Sequence, residues 1–238
     1  YLRQTQEQNE VDFTIVNVEN AAGGFGITGE IAEEILKAGA DVLTSGNHIW
    51  DKREVFDFLA REPRLLRPGN YPKGAPGEFA HVGEAKTGVR VAVINLQGRV
   101  FMPLTDCPFQ FAQREIPRLA KETPIIVVDF HAEATSEKMA LGWFLDGQIS
   151  ALVGTHTHIP TADTRILPKG TAYVSDVGMT GPYDSIIGME VEGSLGRFLT
   201  GFPNRMEVAD GPATFASVLI TVDETTGRAT AIKRIDRG

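Results

Sequence analysis

Ile125-Ile126-Val127-Val128-Asp129-Phe130-His131 is apolar and β-branched through four successive positions, then runs through a carboxylate to an imidazole. So short a run without alternation predicts a strand over residues 125–130 that is buried on both faces. Strands of that kind belong to parallel sheets with helices laid over them. The flanking sequence agrees, since residues 109–121 and 136–145 read as helices, the first of them weakened by Pro117.

Working outward, further strands are predicted at residues 89–95, 151–153 and 172–175, and towards the N-terminus at 13–18 and 42–44. Ile31, Ile35 and Leu36 share one face of a helix that Gly39 can end. Asp51 and Glu54 form a capping-box pattern for another helix, with Val55, Phe56 and Leu59 facing inward. Strand and helix alternate, which predicts an α/β architecture. Residues 214–223 and 229–236, around Gly227, read instead as a terminal β-hairpin. There is no internal repeat or linker, and the Gly- and Pro-rich residues 69–77 read as an ordered surface loop, so residues 1–238 are expected to form a single domain.

The chain has 238 residues, 42% hydrophobic and 23% charged, and a net charge of −8. That charge argues against strong nucleic-acid binding, which needs an excess of Lys and Arg. It leaves a phosphate substrate open, because bound dications would reverse the sign locally. The one cysteine, Cys107, has no partner for a disulfide, so a reducing compartment, the cytoplasm, is expected. No apolar run is long enough to span a bilayer, so no membrane association is expected.

Four of the five histidines fall just beyond predicted strands, where the ligands of open α/β sheets bind. In Gly154-Thr155-His156-Thr157-His158 an extended backbone would turn both imidazoles to one side, as a metal pair or as a hydrogen-bonded structural pair. Gly46-Asn47-His48 follows the strand at 42–44. Asn can lend a carbonyl oxygen to a metal and His can exchange a proton, although a turn residue beside a surface histidine has the same pattern. Glu19-Asn20 closes the strand at 13–18 with a carboxylate able to bridge two cations, or with a solvated acid. His131 ends the buried strand. A purely structural account has to treat four such endings as coincidence.

Gly24-Phe25-Gly26-Ile27-Thr28-Gly29 has the G-x-G-x-x-G spacing of dinucleotide-binding folds. Residues 19–23 separate it from its strand, however, and the next strand ends in Ser45-Gly46-Asn47 where an acid should bind a ribose. The glycines are better read as letting backbone pass close to a metal pocket.

In this order the motifs resemble those of the calcineurin-like metallophosphoesterases: Glu19-Asn20 in the place of the second motif, Gly46-Asn47-His48 the third, His131 the fourth, and Gly154-Thr155-His156-Thr157-His158 the last. VENAAGGFGIT (18–28), SGNHIWD (45–51), INLQGRVFM (94–102) and GTHTH (154–158) are similar to a bacterial subfamily of 2′,3′-cyclic-nucleotide phosphodiesterases. The similarity runs over nearly the whole chain. It departs from the superfamily in having Val-Glu-Asn for Gly-Asp, a variant shared by the subfamily. The first motif, a Gly-Asp on an N-terminal strand, is not in this chain, which opens at Tyr1. The expectation is that an upstream segment carries it. The alternative is a copy lacking one ligand and a central strand, with poor activity.

The resemblance implies an αββα sandwich, two central mixed sheets flanked by helices, without its N-terminal strand here. It implies a dinuclear centre with Glu19 bridging. Metal 1 is then held by Glu19, Asn20, His158 and the upstream Asp, and metal 2 by Glu19, Asn47, His131 and His156. Two cations about 3.5–4 Å apart would acidify a bridging water for in-line attack, with His48 as general acid. Fe, Mn, Zn and Co all suit such ligands, as divalent or mixed-valence ions. The expected substrate is a small phosphodiester of the cyclic-nucleotide kind. Trp50, Tyr71 and Phe101 are candidates to stack a base, and Arg99 to meet a phosphate. A metal- or nucleotide-binding regulatory protein without turnover is the rival reading. Whether copies of the chain form a homo-oligomer stays open.

Overall fold

The structure, a computed structural model, describes residues 1–238. In chain order the elements are α1 (Leu2–Gln8), β1 (Ile15–Asn17), α2 (Gly29–Lys37), β2 (Val42–Thr44), α3 (Val55–Leu59) and β3 (Ala80–Glu84). Then follow β4 (Arg90–Gln97), α4 (Pro108–Leu119), β5 (Ile126–His131), α5 (Thr135–Leu145), β6 (Ala151–Thr155), β7 (Arg165–Ile166) and β8 (Ala172–Val174). The chain ends with β9 (Gly181–Pro182), α6 (Val191–Thr200), β10 (Ala213–Thr214), β11 (Val218–Val222) and β12 (Ala229–Arg234).

The apolar strand of the opening reading lies inside a six-stranded mixed sheet ordered β3-β4-β5-β6-β8-β7. Its four middle strands, β4, β5, β6 and β8, are parallel, and β3 and β7 close the edges antiparallel. Both faces of β5 are covered, as the unbroken apolar run requires. Ile94, Ile126, Val128, Phe130 and Leu152 pack against Phe111, Ile116 and Leu119 of α4 and Leu141 and Leu145 of α5. On the other face Val91 and Val93 meet Val42 and Ile15 of the parallel pair β1–β2. Further along that face Ala151 and Ala172 meet Ala229, Ile220 and Ile232 of the hairpin β11–β12. The outer side of β1–β2 is covered by α2 and α3 through Ala32, Phe58 and Leu59 around Leu43. The order of layers is therefore helix, sheet, sheet, helix. The second sheet layer consists of two hydrogen-bonded pairs, β1–β2 and β11–β12, that are not bonded to each other.

Local chemistry explains the element ends. Thr28 caps α2, its hydroxyl accepting from the Ile31 amide at 3.3 Å. Pro117 does lie inside α4, on its exposed side, where the carbonyl left without an amide partner faces water. The helix expected from Asp51 starts later, at Val55, with no side-chain cap, because the Asp51 carboxylate is taken by His48 instead. Phe56 consequently points outward, and Phe58 takes the inward position beside Leu59. The edge strand β3, which carries His81, and helix α6 lacked a clear pattern in the sequence.

Candidate metal centre

The register of the sheets brings the motifs to one edge. Gln97, His131 and Thr155 are neighbours across β4, β5 and β6, so His131 and the segment after Thr155 leave the sheet side by side. In the layer above, parallel pairing of β1 with β2 sets Glu19 beside the Gly46-Asn47-His48 turn. Gly46 has no side chain for a steric reason: a Cβ there would run into the His131 ring and the Glu19 carboxylate.

Three polar atoms crowd the Nε2 of His131. Glu19 Oε2 is 3.0 Å away, Asn47 Oδ1 3.0 Å and His156 Nδ1 3.0 Å. Ligand atoms of Glu19, His131 and His156 all lie within 4.8 Å of one another. His131 and Glu19 are buried and His156 is half-buried.

Hydrogen-bond bookkeeping settles the His131 tautomer. Asp129 Oδ2 accepts from the Thr44 hydroxyl and from Asn17 Nδ2 at 3.0 Å. Its Oδ1 accepts from Thr155 Oγ1 at 2.8 Å. Full burial holds the Asp129 carboxyl above its ordinary value, although these three donors pull the other way. With Asp129 a carboxylate, the single Thr155 proton is committed to it, so Thr155 Oγ1 can only accept from His131 Nδ1, 3.1 Å away. His131 then carries a proton on Nδ1, and it is Nε2 that faces the oxygens of Glu19 and Asn47, where a second proton or a cation would sit between them. Without either, the facing lone pairs repel.

The other two groups of the cluster are shifted from their ordinary values. Burial first, then the neighbouring His131, lowers His156 to about 4, so it is a neutral, ligand-competent imidazole near neutral pH. For Glu19, burial pulls upward, but in the metal-free chain the charge and N–H of a protonated His131, together with the backbone amide of His48 donating to Oε1 at 2.9 Å, outweigh it and hold the carboxyl below its ordinary value.

A second donor group adjoins the first through Asn20, the residue after Glu19. His158 Nδ1 donates to the Ile187 carbonyl at 2.9 Å, which leaves Nε2 bare. Asn20 Nδ2 is 3.4 Å from that Nε2, and its Oδ1 is buried without any hydrogen-bond partner. An orphaned amide oxygen beside a bare imidazole is what a cation would satisfy. The donors present, oxygen and imidazole nitrogen, suit Mn, Fe or Zn.

His48 stands apart from the crowded atoms. Its Nδ1 is 2.7 Å from Asp51 Oδ2, the ring is 34% exposed, and Phe25 meets it edge-on at 5.7 Å. The G-x-G-x-x-G run thus places Phe25 against His48, with Gly24 and Gly26 in left-handed conformations on either side of it. Asp51, Asp129 and Thr155 were assigned no such roles from the sequence. Asp51 read as a helix cap, and the only signal for Asp129 and Thr155 was a polar residue inside or just after an otherwise apolar strand. Trp50 packs edge-on against Tyr71, whose hydroxyl donates to Gln97, while Phe101 is 90% exposed. Arg99 donates its backbone amide to Glu137 and turns its guanidinium to Cys107, meeting no carboxylate. His81 lies on β3 and takes no part in the cluster.

Comparison with known proteins gives concordant matches. A family described as YmdB-like protein matches residues 1–235. The 2′,3′-cyclic-nucleotide 2′-phosphodiesterase of Bacillus subtilis is 53% identical over 235 residues, covering 99% of this chain and 89% of that protein. A solved structure of a hypothetical protein from Thermus thermophilus has a TM-score of 0.90 at 43% identity, covering 100% of this chain and 91% of the other. That of a novel phosphatase from Mycoplasma pneumoniae has a TM-score of 0.92 at 34% identity, covering 99% and 85%.

Proposed function

The chain belongs to the YmdB-like family, and from that membership we propose that it is a metal-dependent phosphodiesterase acting on small phosphodiesters of the 2′,3′-cyclic-nucleotide kind. The observation that carries the reading is the set of lone pairs facing His131 Nε2 from Glu19, Asn47 and His156, each at 3.0 Å. A relative over half identical whose name states that activity supports the substrate class.

Two sets of side chains would hold cations: Glu19, Asn47, His131 and His156 in one, and Glu19, Asn20 and His158 in the other. Divalent ions bound there supply an acidified water and offset charge on the phosphoryl oxygens. Glu19, common to both sets, would supply negative charge to offset that of the bound cations. Hydrolysis adds the water oxygen to phosphorus, breaks one ring P–O bond and leaves an alkoxide that needs a proton. His48, held through Nδ1 by Asp51, is placed to give that proton as general acid. Phe25 beside it offers an aromatic face to the leaving group. No helix is long and apolar enough to cross a membrane. The lone Cys107 fits a cytoplasmic setting.

The test combines elemental analysis of the purified chain with hydrolysis of bis-p-nitrophenyl phosphate and 2′,3′-cyclic AMP, before and after chelation and with Mn²⁺ restored. Bound metal with turnover that disappears on chelation and returns with Mn²⁺ is expected. A metal-loaded chain that cleaves neither compound would point to a regulatory protein without turnover and overturn the enzymatic reading.

A further inference from the structure

Thr157 lies between two residues in the left-handed half of φ space, His156 at φ 105° and His158 at φ 67°. Residues with a Cβ adopt such torsions rarely and keep them only where the surroundings over-determine them. Here the constraint comes from Asp176. Its Oδ2 accepts both the Thr157 backbone N–H at 3.0 Å and the Thr157 hydroxyl at 2.9 Å. The same oxygen accepts from Lys138 Nζ at 2.8 Å, and Oδ1 accepts from the Gly178 amide at 2.8 Å.

The Lys138 and Asp176 side chains are 1% and 2% exposed, and neither belongs to a donor set. Burying two charges adds little net stability, since the desolvation cost offsets their attraction. The pair is better understood by what it holds. Room for it is provided at Gly154, where a Cβ would meet the Lys138 stem and the Ser175 carbonyl.

We propose that Asp176, neutralised by Lys138, is a positioning residue that locks the His156-Thr157-His158 backbone and so aims one imidazole into each donor set. The proposal rests on reading those imidazoles as metal ligands, but the lock itself can be observed without metal. Asp176→Asn turns one acceptor into a donor facing two donors, Lys138 Nζ and the Thr157 amide. Thr157→Val removes only the hydroxyl contact and leaves the ion pair whole.

The experiment uses the whole chain as wild type, Asp176→Asn and Thr157→Val. Imidazole ¹⁵N–¹H spectra are taken on metal-stripped protein, and Mn²⁺ is then titrated in. In Asp176→Asn the ring signals of His156 and His158 should move or broaden while those of His81 stay. Mn²⁺ binding should weaken about 10- to 100-fold, with a smaller loss in Thr157→Val. A folded Asp176→Asn with unchanged ring signals and Mn²⁺ affinity would overturn the lock. If Asp176→Asn does not fold, unchanged spectra and affinity in Thr157→Val would overturn it instead. A wild-type chain that takes up no Mn²⁺ would sink the metal reading, and the ring spectra would then judge the lock alone.

Discussion

His48 Nδ1 and Asp51 Oδ2 are 2.7 Å apart, three residues from one another in a turn that the sequence pattern assigned to a helix cap. The contact fixes the ring through one nitrogen and leaves the other for exchange with a ligand. It also separates His48 from the crowded donors, so its loss can be told apart from loss of metal.

His48→Ala should keep Mn²⁺ affinity close to wild type and lose about 10²-fold or more in kcat on 2′,3′-cyclic AMP, whose alkoxide leaving group needs a proton. The loss on bis-p-nitrophenyl phosphate should be much smaller, because p-nitrophenolate leaves unprotonated. Equal losses on both compounds would remove His48 from the general-acid role.

Thr155→Val should weaken Mn²⁺ binding by about 10- to 100-fold. Without the hydroxyl, His131 Nδ1 loses its acceptor and nothing selects the tautomer that frees Nε2. Thr155→Ser keeps the hydroxyl and should recover most of the affinity. Failure of the serine variant to bind better than the valine variant would count against the tautomer argument.

Acid should destabilise the metal-free chain in a defined window. His156 is at about 4 in the folded chain and near its ordinary 6.5 when unfolded, so between those values the unfolded state binds the extra proton. Stability therefore falls as pH drops from about 6.5 towards 4 and levels off for this group below that. Glu19, held below its ordinary value when folded, adds a loss of the same sign as pH falls from about 4.5 through its lower folded value. Urea unfolding at pH 7, 5.5 and 4.5 measures this, and His156→Asn should flatten the upper part of the window. Equal stability of the wild-type chain at pH 7 and 5 would contradict it.

Gly46→Ala should cost about 1–3 kcal/mol in stability, the usual range for overfilling a packed position. It should also abolish tight Mn²⁺ binding, because the added methyl meets His131 and Glu19 themselves. A variant that melts like wild type and still binds Mn²⁺ would show that the turn yields and the cradle is not close-fitting.

The strands that carry the donors were legible because each is an apolar run with a polar ending. The 42–44 prediction coincides with β2, and the 125–130 prediction is offset by one residue from β5, which runs on to His131. The edge strand Ala80–Glu84 was not, since half-buried His81 and Gly83 break its alternation. α6 was missed for another reason: Val191, Leu195, Phe198 and Leu199 are exposed, so its apolar side has no packing partner to explain it within the chain. Residue types at strand ends indicated Glu19, Asn47, His48, His131, His156 and His158. They said nothing of which histidine nitrogen is bare, because that follows from Asp129 and Thr155, brought together only by the register of β5 and β6.

Glu19 and Asn47 hang from the thin β1–β2 layer, whereas His131 and His156 rise from the six-stranded sheet. Elsewhere the two layers meet through aliphatic contacts, Ile15 and Val42 on Val91 and Val93, and through Asn17 and Thr44 donating to Asp129 and the Ser45 amide donating to Asn95. A cation held by residues of both layers would add a latch between the two halves, and its removal should let them part more readily. Starvation for metal would then show up as a chain that breathes along its middle, exposing β-branched edges to proteases and to other copies of itself.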